Sequence, residues 1–178
     1  DVDLAGKDVA VVGTGASAIQ IIPEIAPIVR RLTVYQRSPP WVLPRHDYEV
    51  SPTLKWAFAH VPGLLRLVRA WHYWTAEAIA LGLVYKPKLM GIGQKASAAY
   101  KEREIADPDL RLKLNPFYTL GCKRMLLSDD FYATMTRPNV ELVTGDIREV
   151  KPQSIVAADG FERPSDVIVF ATGFDAFN

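Results

Sequence analysis

The chain of 178 residues holds a single cysteine, Cys122, so no disulfide can form within it and a cystine-stapled secreted scaffold is excluded. One lone thiol fits a reducing, cytoplasmic setting. The three histidines, His46, His60 and His72, stand apart from one another, and without cysteine or carboxylate partners at ligand spacing no metal site is expected. Neither charge dominates: 21 Lys and Arg face 20 Asp and Glu, so no whole-molecule field draws in nucleic acid or an anionic membrane. Any bound anion has to be held locally. Every apolar stretch near the roughly eighteen residues that a membrane span requires is interrupted by Arg, His or Glu. The opening "DVDLAGKDVAVV" has no initiator Met and no signal-type apolar core, and a strand pattern starts within ten residues. With an equally abrupt end after "DVIVFATGFDAFN", both termini read as domain borders within something longer.

What is present is apolar enough, at 49%, to bury one good core. Asp8 to Val12 is a short apolar run, followed by a glycine turn, "GTGASAIQ", in which Gly13, Gly15 and Ala18 give G-x-G-x-x-A. That spacing suits a strand turning sharply into a helix whose first N–H groups face a pyrophosphate. Ala16 to Val29 reads as the helix, with Ile19, Ile22, Ile25 and Ile28 or Val29 near a 3.6 period and with Pro23 expected to kink it. "RLTVYQR", Arg31 to Arg37, alternates as a second strand, and the two complete the start of a β-α-β unit. About twenty residues after the turn, an NAD enzyme places an Asp or Glu on the ribose hydroxyls. Here the strand ends in Gln36-Arg37-Ser38, which favours NADPH: Arg37 offers a bidentate contact to a 2′-phosphate and Ser38 a hydroxyl donor.

From about 51 to 114 the composition turns helical. Leu64, Val68, Trp71, Thr75 and Ala78 share one face, and Arg66, Arg69, Tyr73 and Glu77 fall largely on the other. The expectation is a helical insertion packed on the domain, rather than a helix lying in a membrane, with Trp71 and Trp74 as candidates for a pocket wall. Strands return at Asn139 to Thr144, Ile147 to Lys151 and Ser154 onward, with Asp159-Gly160 as a turn signal. Between insertion and strands lies "LGCKRMLLSDDFY", where Gly121 permits an unusual backbone angle and Lys123-Arg124 sets two cations side by side. Such a pair is either a surface patch balanced by Asp129 and Asp130, or a pair of anion contacts if the loop folds back over the glycine turn. The fold class expected is α/β: a single Rossmann-like dinucleotide-binding domain over 1–178, with a helical insertion and a C-terminal β-hairpin and strand region.

Four stretches in this order, "GTGASAIQ", "QRSPPWVLPR", "GCKRMLLSDDFY" and "DVIVFATGF", resemble the class B flavoprotein monooxygenases, most closely the Baeyer–Villiger type. The resemblance implies an NADPH-binding domain inserted into an FAD domain, with the glycine turn serving NADP(H) and the FAD loop lying upstream of Asp1. It implies cofactor contacts from Gly13, Thr14, Gly15, Ala16, Ser17, Ala18 and Gln20 around the turn. Arg37, Ser38 and Lys123 would meet the 2′-phosphate, and Ala171, Thr172 and Gly173 lie where the chain passes back toward the flavin. Arg124 matches the arginine that supports the flavin's oxygen chemistry. The implied reaction uses NADPH and O₂ to oxygenate a ketone or a soft nitrogen or sulfur centre. The signature F-x-G-x-x-x-H-x-x-x-W does not occur within these residues, which leaves the heteroatom-oxygenating relatives open. The partners implied are FAD-binding segments of the same parent chain and a small-molecule substrate. Two other readings stand beside it, a stand-alone NADP-dependent dehydrogenase and a non-catalytic NADP-sensing module. The dehydrogenase lacks a Tyr-x-x-x-Lys pair, since Tyr85-Lys86 and Tyr100-Lys101 have the wrong spacing.

Overall fold

The computed structural model describes residues 2–85 and 90–173; Lys86, and the Phe174 that closes the ATGF stretch, lie outside them. Its centre is a four-stranded, wholly parallel sheet. β1 (Asp8–Val12) pairs on one side with β2 (Arg31–Gln36) and on the other with β9 (Val167–Phe170), while β2 pairs outward with β5 (Val140–Thr144). The order β5-β2-β1-β9 is that of one doubly wound half, and it makes the α/β, Rossmann-like expectation an observation.

Strands of such a sheet are covered on both faces, which is why β1 reads as a continuous apolar run instead of alternating. Val9, Val11, Leu32 and Val34 pack toward α1 (Ala18–Ile25) and α6 (Phe131–Met135). Ala10, Tyr35 and Val143 face the opposite way, against Ile155 and Ala157 of an antiparallel meander, β6 (Ile147–Lys151), β7 (Ser154–Ala157) and β8 (Glu162–Pro164). Asp159-Gly160 makes the turn between β7 and β8, with Gly160 at φ +82° and the Asp159 carboxylate accepting from the Phe161 N–H at 3.0 Å.

Helix α1 is shorter than the apolar period suggests. Pro23 sits inside it and removes one hydrogen bond, yet the helix runs on to Ile25, and Pro27 then stops it because that residue has no N–H to continue the ladder. The residues between the two parts of the sheet are helical as expected, in α2 (Pro52–His60), α3 (Leu64–Tyr85), α4 (Met90–Glu104) and α5 (Pro108–Lys113). Only part of this region packs on the domain. Tyr100 of α4, with Ile105 and Leu114 beyond it, enters the main core. In α3, Leu64, Val68 and Thr75 of the expected face are half-buried, whereas Trp71 and Trp74 are each about 70% exposed. A pocket wall from Trp71 and Trp74 is therefore not found, since neither lines a cleft among the described residues. Periodicity establishes an apolar face but not what covers it. Among the described residues no helix is long and apolar enough to cross a membrane.

A pair of two-residue strands, β3 (Val42–Leu43) and β4 (Leu126–Leu127), runs parallel just beyond the sheet. It ties the segment after β2 to the loop that carries Lys123 and Arg124. The Leu126 N–H donates to the Trp41 carbonyl at 3.0 Å, the Ser128 N–H to that of Leu43 at 3.0 Å, and the Ser97 hydroxyl to that of Val42 at 2.7 Å.

Candidate functional site

Parallel pairing places the carboxyl ends of β1, β2, β5 and β9 along one edge, and the residues that follow them face a common space. After β1 come Gly13 to Ser17, after β2 Arg37 and Ser38, after β5 Gly145 and Asp146, and after β9 Ala171, Thr172 and Gly173. All of these line one cleft of about 620 Å³, with Lys123 and Arg124 closing it from the loop before β4.

At the turn, Gly13 has φ +108°, and a Cβ there would meet the Ala171 carbonyl oxygen at 2.6 Å. No other residue type allows β9 to run this close beside the turn. At Gly15 an added Cβ would come no nearer than 3.9 Å to any neighbour, so the space above it is open. The N–H groups of Gly15, Ala16 and Ser17 have no backbone partner among the described residues, and the Ser17 side chain does not cap the helix. A bare helix start, two glycines and open space above the second of them fit a pyrophosphate. The Thr14 hydroxyl donates to the Ser38 carbonyl oxygen at 3.2 Å, tying the turn to the end of β2.

Across the cleft stand the cations. Lys123 Nζ lies 3.0 Å from Ser38 Oγ and 4.7 Å from the centroid of the Tyr118 ring. Among the described residues Arg37, Lys123 and Arg124 form no ion pair with a carboxylate. Asp129, which could have balanced the pair, is engaged elsewhere: Oδ1 accepts from the N–H groups of Arg45 and His46, at 2.8 and 3.1 Å, and Oδ2 from that of Asp47 at 3.0 Å. Those bonds, that from Asp47 foremost, hold its carboxyl below the usual value. On the other side of Asp129, the Tyr100 hydroxyl donates to its carbonyl oxygen at 2.7 Å. Burial pushes Tyr100 up to about 12, so this donor persists throughout the physiological range.

Twelve of the residues singled out from the sequence thus meet in one cleft. Two do not line it. Ala18 is fully buried beneath the turn, where its small size lets α1 approach the sheet, and Gln20 lies exposed on α1, away from the lining. Sequence reasoning missed Tyr35, Pro40, Tyr118, Gly145, Asp146 and Ile147. The "TGD" that ends β5 is a strand-end signal that could have suggested Asp146, which brings a carboxylate to the cleft although β2 ends without one. Tyr35 Oη and Gln36 Oε1 are buried with no hydrogen-bond partner among the described residues.

No family model matches the chain. Individual proteins do. A Baeyer-Villiger monooxygenase of Pseudomonas aeruginosa is 44% identical over 176 residues, which is 99% of this chain and 33% of that protein. One from Streptomyces coelicolor is 42% identical over 174 residues, 98% of this chain and 34% of the relative. Among solved structures, OTEMO in complex with FAD and NADP superposes with a TM-score of 0.80 at 29% identity, over 99% of this chain and 40% of that one. Cyclohexanone monooxygenase bound to epsilon-caprolactone gives 0.80 at 27% identity, covering 98% and 41%. The chain therefore spans about a third of the length of the curated relatives it matches, and over that span the sequence-level resemblance is borne out.

Proposed function

We propose, on the premise that this stretch of chain belongs with the class B flavoprotein monooxygenases, that it is a single NADPH-binding domain of an FAD-dependent enzyme. That enzyme would oxygenate a ketone or a soft nitrogen or sulfur centre with NADPH and O₂. The observation that carries the reading is the placement of the bare glycine turn and of the Arg37, Ser38 and Lys123 donors on two sides of one cleft. A dinucleotide with a 2′-phosphate needs both.

Each residue then has a definable task. The N–H groups of Gly15, Ala16 and Ser17 would hold the pyrophosphate at the start of α1. Arg37 and Lys123 would meet the 2′-phosphate with charge-assisted hydrogen bonds, while the Ser38 hydroxyl, already 3.0 Å from Lys123 Nζ, keeps that ammonium in place. Ala171, Thr172 and Gly173, at the end of β9, would line the passage toward the nicotinamide's partner. Arg124, paired with no carboxylate among the described residues, would supply a fixed positive charge. FAD would supply hydride acceptance and oxygen activation, and it is assigned to other segments of the parent chain because the glycine turn here serves NADP(H). A cytoplasmic setting fits the exposed single thiol of Cys122.

The test is cofactor preference in the full-length enzyme. Arg37→Ala is expected to weaken NADPH by about 1.5–3 kcal/mol while changing NADH far less. Dissociation constants for both nucleotides measure it, and equal losses would remove the 2′-phosphate assignment.

A further inference from the structure

The phosphate contacts do not account for one arrangement on the basic side of the cleft. An exposed lysine on a loop carries a strongly hydrated ammonium on a flexible stem, which ordinarily samples many rotamers. Lys123 is instead held at two points, its Nζ 4.7 Å from the centroid of Tyr118 and 3.0 Å from Ser38 Oγ. Tyr118 is held in turn. The Trp41 indole N–H donates to its carbonyl oxygen at 2.8 Å, and Trp41 is fastened to β4 through the Leu126 N–H at 3.0 Å. Between Tyr118 and Lys123 the chain reverses through Gly121, at φ +98°, and the Cys122 N–H closes the turn onto the Thr119 carbonyl oxygen at 3.1 Å.

We propose that Tyr118 is a positioning residue that sets the preference for 2′-phosphorylated dinucleotides: its ring face holds the Lys123 ammonium beside Ser38 before the phosphate arrives, and Trp41 holds Tyr118. This rests on the reading that Arg37, Ser38 and Lys123 receive a 2′-phosphate. A carboxylate in the place of the ring would also fix the lysine, but it would cancel the charge and repel the phosphate. A ring quadrupole attracts the ammonium while leaving its full charge to the ligand. The lysine is thereby ordered on folding rather than on binding, which strengthens association. Because NAD(H) offers Lys123 only a neutral 2′-hydroxyl in place of the phosphate, the effect of the ring falls mainly on NADP(H).

The decisive measurement is an equilibrium titration of the oxidised, full-length enzyme with NADP⁺ and with NAD⁺, followed by tryptophan fluorescence, so that no turnover is needed. Tyr118→Leu is expected to raise the NADP⁺ dissociation constant roughly three- to tenfold and to leave that for NAD⁺ within about twofold. Tyr118→Phe, which keeps the ring and loses only the hydroxyl, is expected to behave as wild type. Equal losses for both nucleotides, or a Phe variant as impaired as the Leu variant, would overturn the proposal. Lys123→Met separates it from the reading beneath it. If that variant binds NADP⁺ as wild type does, the 2′-phosphate site itself is misassigned. If it loses NADP⁺ while Tyr118→Leu does not, only the role of the ring is overturned.

Discussion

Lys123 and Arg124 are neighbours in sequence and line the same cleft, yet only the first is engaged. Lys123 has a ring and a hydroxyl to hold it, whereas Arg124 makes no hydrogen bond or ion pair among the described residues. An exposed guanidinium with no intramolecular partner costs nothing to lose in the free chain, so any large effect of removing it must come from a bound state. That makes Arg124 a sharp test of the proposed oxygenation. In the full-length enzyme Arg124→Ala is expected to lower the oxygenation rate on the order of 100-fold or more while largely retaining NADPH affinity. Product formed per NADPH consumed, measured together with released hydrogen peroxide, checks it. Near wild-type coupling would place Arg124 among ordinary surface cations.

The sheet carries the cleft at the carboxyl ends of its strands and a polar latch at the opposite ends. Asp8, at the start of β1, accepts from Arg30 through both carboxylate oxygens, at 2.9 and 2.7 Å, while its own N–H donates to Asp166 at 2.8 Å just before β9. Three parallel strands are thus aligned at the edge away from the ligand. The Arg30 hydrogen bonds lower the Asp8 carboxyl below its usual value against the opposing effect of burial. Because the folded value lies below the unfolded one, the stabilisation is fully present above the unfolded carboxylate range and is lost as pH falls through it toward the folded value. Denaturant midpoints of wild type and Asp8→Asn are expected to differ most near neutrality and to converge as pH falls below the unfolded carboxylate range. A pH-independent difference would show that the carboxylate's charge is not what the latch uses.

How much of these elements could be read beforehand follows from how local each one is. The turn at Gly13 and the end of β2 at Arg37 were legible because a strand, a turn and a helix succeed one another within thirty residues. Asp146 was not, since its place in the cleft depends on β5 lying beside β2, which only the strand order decides. Tyr118 meets Trp41 across 77 positions, and no periodicity in either stretch encodes that contact. Lys123 was placed by resemblance, because spacing alone left a surface pair equally open. In α3 the amphipathic pattern held, but a pattern cannot say whether the face is covered within this chain.

At the scale of the whole molecule, the question is which of two dinucleotides the chain holds by itself. A pyrophosphate needs a helix start brought close by glycines, and the described residues provide this once, where a Cβ at Gly13 would strike the Ala171 carbonyl oxygen at 2.6 Å. Flavin binding would put the isoalloxazine into the same cleft and set the adenosine end against Arg37 and Lys123, whose charges an unphosphorylated ribose does not use. The isolated 178-residue chain is therefore expected to bind NADP⁺, to purify without colour, and to show no NADPH-dependent oxygen uptake when FAD is added. Absorbance in the flavin bands after dialysis against excess FAD, with NADP⁺ titrated in parallel, measures both sides of the claim. Stoichiometric flavin retained by the chain, and displaced from it by NADP⁺, would show that the glycine turn belongs to the other cofactor. NADP⁺ binding with no retained flavin would leave the turn, the cations of Arg37 and Lys123 and the ring of Tyr118 serving one ligand.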